Sequence, residues 1–425
     1  MALNAEALDR RLDPGLKTPI AVAFSGGGDS LAALLMTVAW ARPRGRRVVA
    51  LNVDHRLQPQ SAAWTRFAAA AAARIGAEFR ALAWEGPKPS HGLAAAAREA
   101  RHGLIAEAAR QAGARVVVFG HTADDILEAD LMRAEGSRLG FLREWAPSPA
   151  WPAGRDVFLL RPLLGLRRAA IRLELRAAGE TWIDDPANQD PRSARARARL
   201  RLAGAADPPP LARRTSAPSD EALAELARAV TIAPEGYLTI DRAALRRVPV
   251  AAARRLFAAG ILCAGGGDKP PRGDRLDRLT GQAIGVAPFQ ATLAGSKIIA
   301  DEAVLLTRDA GEVRRGGLIG MTLPAGVATV WDGRFELTAP RQGLSVRAMG
   351  GVMAEVRRRL DPARREALQA LPAAVRAGLP VVGGEVGCPI LAGPILAGES
   401  PVRIRSLVAA RFLAACGAIS KEPAA

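Results

Sequence analysis

The first half of the chain predicts an α/β fold, an open parallel sheet with helices on both faces. Short apolar runs that suit buried strands, Ile20–Phe24, Val48–Val53 and Val116–Phe119, are separated by longer stretches of helical periodicity. Strand and helix alternate at least four times before residue 134. Each of those runs ends in glycine or polar residues, at Ser25–Ser30, at Asp54-His55 and at Gly120–Glu128. In an open parallel sheet the carboxyl ends of the strands share one edge, where ligands bind. The three polar stretches are thereby predicted to converge on one crevice.

The first element is strand Ile20–Phe24, followed by Ser25-Gly26-Gly27-Gly28-Asp29-Ser30 and by Leu31–Trp40, a helix without Gly, Pro or charge. Consecutive glycines let the backbone turn sharply and bring its N–H groups close to a ligand, and a helix start favours negative charge. The loop is suited to phosphate. Ser25 and Ser30 offer hydroxyls, and Asp29 can hold a metal ion or cap the helix. It is not a Walker loop, since no Lys-Ser or Lys-Thr follows, and not G-x-G-x-x-G, since Leu31 stands where the last glycine belongs.

Next come a second strand ending at Asp54-His55 and a helix, Ser61–Ile75, with Trp64, Phe67 and Ala71 on one face. A weaker strand, Glu78–Trp84, leads past Pro87 and Pro89 into a helix over Leu93–Ala112, where Leu93, Ala97, Ala100, Leu104, Ala108 and Ala112 share a face. The apolar strand Val116–Phe119 ends in Gly120-His121, and a helix follows over Ala123–Arg133.

On that last helix Asp125 and Glu128 stand i, i+3 and Asp124 and Glu128 i, i+4. Acidic groups in a first turn can simply complement the helix dipole, or form a seat for magnesium or an ammonium group. His55 and His121 fall just past strand ends and face the crevice, whereas His91 and His102 read as loop and helix residues. No His or Cys has zinc-site spacing. From Arg195 on, arginine recurs at every second residue, so that Arg195, Arg197 and Arg199 would line one face of an extended, phosphate-tracking arm. As a helix they would spread around it.

Composition narrows the class. The chain has 425 residues, enough for about two to four domains. Its net charge is +17, with arginine about tenfold more frequent than lysine, a balance that suits a polyanionic partner. Part of the arginine excess can also reflect genomic base composition. The cysteines, Cys263, Cys388 and Cys416, form no disulfide framework, which fits a reducing cytoplasm. Met1–Pro14 is charged and does not read as a signal peptide. No apolar run reaches membrane-spanning length, Val386–Gly398 being short and broken by Gly and Pro.

Beyond an N-terminal domain over residues 1–205, Pro208-Pro209-Pro210 and Ala217-Pro218 mark a linker, 206–218. A mainly helical middle domain, 219–313, carries helices over Ser219–Val230 and Val250–Ala259 and a hairpin over Phe289–Leu306. Its glycine run Gly265–Gly267 has no preceding strand and reads as a connection. After Arg314–Gly317, strand-like runs Val327–Trp331 and Phe335–Thr338 suggest a small α+β domain, 318–425.

Several stretches resemble one known family. The Ser25–Ser30 loop resembles the Ser-Gly-Gly-x-Asp-Ser loop of the N-type ATP pyrophosphatases of the PP-loop superfamily. Val53–Leu57 is similar to V-D-H-x-L, Ala97–Arg101 to A-R-E-A-R, Gly120–Glu128 to G-H-H-A-D-D-x-x-E, Arg161–Leu164 to R-P-L-L, and Asp185–Asp190 to D-P-S-N-x-D. In this order, over roughly residues 17–200, they resemble the tRNA(Ile)-lysidine synthetases. The pattern departs at Thr122 and Ala129, where the family has His and Thr, at Arg138, and at Ala196, where it has Asn.

This resemblance implies a Rossmann-like sheet of the adenine-nucleotide α-hydrolase type and a two-step ligation. ATP adenylates the wobble cytidine of tRNA(Ile) and releases pyrophosphate; the ε-amine of free L-lysine then attacks ring carbon two and expels AMP. It further implies that Ser25–Ser30 hold the ATP phosphates, that Asp29 holds Mg2+, that Asp125 and Glu128 hold the lysine, and that His55 touches phosphate. The two later domains would embrace tRNA, and a homodimer is an open expectation. Three rivals are a tRNA-thiolating enzyme, which would carry cysteines beside the crevice, an amidating ligase, which would bring a glutaminase domain or lack the basic tail, and a noncatalytic RNA-binding protein with a relic nucleotide fold.

Overall fold

Successive residues of a strand point to opposite faces, and the first strands bury both. Ile20, Val22, Val48, Ala50, Val116 and Val118 enter one core, while Ala21, Val49, Leu51, Val117 and Phe119 enter the other. This is why those runs are apolar at nearly every position instead of alternating, with buried Asn52 as the exception. The computed structural model describes residues 5–137, 139–186, 190, 193–203, 218–312, 320–384, 389–391 and 402–424. The chain forms two compact units, Met1–Arg214 with Ile419–Ala425, and Thr215–Ala418.

The first unit runs α1 (Glu6–Arg11), β1 (Ile20–Ala23), α2 (Gly28–Ala41), β2 (Val48–Asp54), α3 (Ser61–Ile75), β3 (Glu78–Ala83), α4 (Leu93–Gln111), β4 (Val116–Phe119), α5 (Ala123–Ala134), β5 (Trp145–Pro147), β6 (Phe158–Leu160), α6 (Arg168–Ala177) and α7 (Ala194–Ala203). Its sheet has the order β3-β2-β1-β4-β6-β5. All neighbours are parallel except β5, which pairs antiparallel with β6 at the edge. The open parallel sheet expected from the sequence is therefore present. The order reverses between β1 and β4, so the loops after these strands diverge and leave a crevice between them.

One expectation is corrected. Arg195, Arg197 and Arg199 lie on a helix, α7, not on an extended arm. Alanine and arginine are both strong helix formers, and helical spacing puts Arg195 and Arg199 on one face, toward the carboxylates of α5. Residues 206–217 of the linker, Arg192, Ala187–Gln189 and Arg314–Gly317 lie outside the described residues.

Residues 419–424 pack in the first unit, where Glu422 accepts from Arg46 Nη2 at 2.6 Å and from Nη1 at 2.9 Å. Both side chains are 0% exposed, so the pair takes the place of water for each other.

The second unit runs α8 (Pro218–Arg228), β7 (Thr231–Ile232), β8 (Leu238–Asp241), α9 (Arg242–Arg247), α10 (Val250–Gly265), α11 (Asp274–Ile284), β9 (Phe289–Leu293), β10 (Ser296–Ala300), β11 (Ala303–Arg308), α12 (Ala310–Glu312), β12 (Met321–Leu323), β13 (Ala328–Trp331), β14 (Phe335–Thr338), β15 (Leu344–Ala348), α13 (Met353–Arg359), α14 (Pro362–Ala370), α15 (Ala373–Arg376), β16 (Pro380–Gly384), β17 (Pro389–Leu391), β18 (Arg403–Ser406) and α16 (Val408–Ala415). A five-stranded sheet, β7-β8-β11-β10-β9, shares a core with α8, α10, α11 and α16. Two smaller sheets follow, β12-β15-β16-β17 and β13-β14-β18. Cys263 and Cys416 are buried free thiols here.

Candidate active-site cleft

The glycine loop is packed against neighbouring segments on two sides. Gly26 has φ 85°, and a Cβ there would lie 2.6 Å from Ile183 Cδ1. The Ile183 N–H donates to Gly26 O at 2.9 Å, and the Trp182 ring lies 3.4 Å from where a Gly28 Cβ would be. The Trp182-Ile183 stretch thus braces the loop from outside. From the other side Gly120, at the end of β4, packs on the start of α2, where a Cβ would meet Asp29 O at 2.4 Å. The Ser30 hydroxyl donates to Gly27 O at 2.8 Å and stands 3.2 Å from Ser25 Oγ. Held in this way, the loop leaves the first N–H groups of α2 for a ligand.

A cavity of about 550 Å³ opens at this edge of the sheet. Ser25, Gly27, Gly28, Asp29, Ser30, His55, Asp125, Arg195 and Arg199 all line it. Gly26 is buried and does not line it, and Glu128, 1% exposed, stands behind Arg195 and Arg199. Arg197 is exposed elsewhere on α7.

Asp125 and Glu128 are held firmly. Asp125 Oδ2 accepts from the Thr122 N–H at 2.6 Å and the Thr122 hydroxyl at 2.9 Å. Its Oδ1 meets Arg195 Nη2, and Arg168 Nη2 at 3.3 Å. Glu128 accepts from Arg195 Nε at 2.8 Å, Arg199 Nε at 2.9 Å and Arg168 Nη1 at 3.1 Å. Arg168 Nε also donates to Asp29 Oδ2 at 2.8 Å. Three carboxylates therefore face three guanidiniums, and the acidic groups share the cleft without strong mutual repulsion.

Asp29 keeps one oxygen without a partner. Its Oδ1 is buried and has no hydrogen-bond partner, and burial raises its pKa above the ordinary 3.8 against the pull of Arg168. An orphaned carboxylate oxygen beside a glycine loop at a helix start fits a divalent cation, which needs one or two protein carboxylates when phosphate oxygens supply the rest. Among the described residues no cluster of three or more His, Cys, Asp or Glu could cage a metal unaided.

His55 lines the cleft with its ring edge-on to Trp84, centroids 6.1 Å apart. Its Nδ1 is buried without a partner, and burial, then Arg101, holds its pKa below 6.5. Arg101 on α4 is a cation that sequence reasoning left without a role. Its Nε is buried without a partner, and burial followed by the nearby Arg98 and Arg195 pushes its pKa down to about 10. Arg168 and Arg172 of α6 also line the cleft; nothing in their local sequence separates them from surface arginines.

A PP-loop domain model matches residues 4–206. The chain is 49% identical over 420 residues, 98% of its length and 97% of the relative's, to the tRNA(Ile)-lysidine synthase of Caulobacter vibrioides. It is 37% identical over 310 residues, 69% of its length and 80% of the relative's, to that of Hyphomonas neptunium. Among solved structures it is similar to a U34-tRNA thiolase from Methanococcus maripaludis, with TM-score 0.39 and 15% identity over 47% of this chain and 70% of that one.

Proposed function

Since the chain belongs to the tRNA(Ile)-lysidine synthase family, whose members are ATP-using ligases, we propose that its cleft adenylates the wobble cytidine of tRNA(Ile) and then joins free L-lysine to it. The observation that carries this reading is that the glycine loop and the carboxylate helix, about a hundred residues apart in sequence, open on one cavity.

In the first step a cytosine oxygen attacks the α-phosphorus of ATP, and pyrophosphate leaves. Ser25, Gly27, Gly28 and Ser30, with the N-terminus of α2, would hold the phosphates, and Arg101 and His55 would add donors from the facing wall. Asp29 would hold Mg2+ through the oxygen that has no other partner. When bound, Mg2+ would neutralise phosphate charge. In the second step the lysine amine attacks carbon two of the ring, the carbon–oxygen bond breaks, and AMP leaves with the oxygen. Asp125 and Glu128 would seat the lysine ammonium. That exchange asks Arg195 or Arg199 to withdraw, and tRNA phosphates would draw them away. Arg195, Arg197 and Arg199 are accordingly our candidates for tRNA contact.

We assign catalysis to residues 1–205 and tRNA contact to 219–313 and 318–425, which suits the charge of +17. No described helix is long and apolar enough to cross a membrane, and we place the enzyme in the cytoplasm, with a homodimer as a further proposal. A thiolase reading would need sulfur chemistry at the cleft, whereas residues 1–262 contain no cysteine.

The test is mass analysis of the wobble cytidine after incubation with tRNA(Ile), ATP and lysine. Addition of lysine with loss of water is expected; an unmodified cytidine with folded protein and intact tRNA overturns the proposal. Asp125→Asn should weaken lysine use more than ATP binding, and equal loss of both would count against the assigned seat.

A further inference from the structure

His121 follows β4 and lines the cleft, its ring stacked on Phe119 with centroids 5.6 Å apart and planes 11° from parallel. Arg161, just past β6, donates from Nε to Nδ1 of His121 at 3.2 Å and from Nη1 to Arg143 O at 2.7 Å. The guanidinium is thus anchored at two points. Arginine has no acceptor, so the nitrogen it approaches must carry a lone pair. His121 is therefore the neutral imidazole with its proton on Nε2. That Nε2 makes no hydrogen bond to the described residues, yet it is not sealed from the cavity.

The groups around the ring favour the same state. Arg161 approaches from β6, Arg98 and Arg101 from α4 and Arg195 from α7, and with burial as the first cause they hold His121 well below the usual 6.5. His102, also on α4, is itself pushed down to about 3 and stays neutral. Asp125, the carboxylate at the start of α5, spends its oxygens on Thr122, Arg168 and Arg195.

We propose that Arg161 is a positioning residue that locks His121 as the Nε2–H tautomer, so that His121 presents a fixed, non-titrating donor to an oxygen of the nucleotide in the cleft. This rests on the cleft being the nucleotide site. A histidine in catalysis either shuttles a proton or donates a hydrogen bond while keeping it. With Nδ1 occupied by Arg161, His121 cannot take a second proton without breaking that contact. It donates and keeps its proton. Negative charge gathers on phosphoryl oxygens when pyrophosphate leaves and again when AMP leaves, and one neutral donor serves both events.

The chain has four histidines, so nitrogen-15 imidazole spectra can be assigned by comparison with His121→Gln. In the wild type the His121 signals should show a protonated Nε2 and a bare Nδ1, unchanged from about pH 8 to about pH 5. Arg161→Met, which removes the donor, should give a mixture of Nδ1–H and Nε2–H tautomers and slow pyrophosphate release, and Arg161→Lys, which keeps a donor, should restore the single tautomer. His121→Ala should lower the rate of pyrophosphate release about 10²-fold, with His121→Gln recovering part of it. A wild-type His121 that titrates between those limits, or an Arg161→Met spectrum that shows the Nε2–H tautomer alone, overturns the proposal. Ser30→Ala separates the two readings. If it abolishes ATP binding while His121→Ala keeps wild-type turnover, the His121 assignment alone fails; if neither substitution affects ATP binding, the nucleotide site itself lies elsewhere.

Discussion

Arg168 Nε lies 2.8 Å from Asp29 Oδ2, and the same guanidinium reaches Glu128 and Asp125. One side chain thus ties the glycine loop to the carboxylate helix. Arg168 engages Oδ2, and the other oxygen of Asp29 has no hydrogen-bond partner.

Asp29→Asn keeps the shape and the contact to Arg168 can persist, but the negative charge is lost. Pyrophosphate release should fall by about 10²-fold or more, and its dependence on magnesium concentration should flatten. A magnesium titration of both proteins checks this; an unchanged magnesium dependence would remove Asp29 from the cation site.

Arg195 occupies both carboxylates that the lysine ammonium would use. Its side chain is 39% exposed, so the contact is worth no more than a partly solvated ion pair. Arg195→Ala should lower the lysine KM about two- to fivefold while raising the KM for tRNA. Lysine titrations at saturating ATP and tRNA read this out; a raised lysine KM would mean that Arg195 grips the substrate carboxylate instead.

A Cβ on Gly120 would stand 2.4 Å from Asp29 O and 2.8 Å from Ser30 N. Backbone cannot swing aside as a side chain can, so Gly120→Ala should cost about 1–3 kcal/mol of stability and weaken ATP binding by displacing the loop. Gly103, on α4, has nothing within 4 Å of its Cβ position, and Gly103→Ala should be neutral or stabilising. Denaturant unfolding with ATP titration compares the two.

The Arg46–Glu422 pair is wholly buried. Glu422→Gln leaves a buried guanidinium without its counter-charge and should destabilise the first unit by about 3–5 kcal/mol, whereas Arg46→Met with Glu422→Met should cost less than that. Urea denaturation of the single and double variants measures the difference.

His102 is 5% exposed and held at about 3 by burial and then by Arg101 and Arg98, against 6.5 when free. The unfolded chain therefore binds the proton more readily. The stability contributed by the neutral ring is complete above about pH 6.5 and declines as pH falls toward 3. His102→Leu should narrow the difference in Tm between about pH 7.5 and about pH 5.5.

The sequence by itself determined what neighbouring residues decide. Three consecutive glycines followed by Asp29 and Ser30 specify a loop and helix start, because turn geometry is local. The apolar runs specify β1, β2 and β4, because burial on both faces favours apolar side chains at nearly every position, Asn52 being tolerated because its Nδ2 donates to Phe24 O at 2.8 Å. The spacing of Asp125 and Glu128 specifies a shared helical face. Local spacing failed at Arg195–Arg199, where a period of two suggested a strand. There the intrinsic preference of alanine and arginine for helix, and the pull of carboxylates on α5, set the conformation. Only the tertiary structure decided that Arg168 and Arg195 would meet Asp125 and Glu128, that Arg161 would fix the proton of His121, and that Glu422 would lie against Arg46. Each of these contacts joins residues at least forty positions apart. Their partners are chosen by strand order and packing, for which a charge in the sequence carries no address.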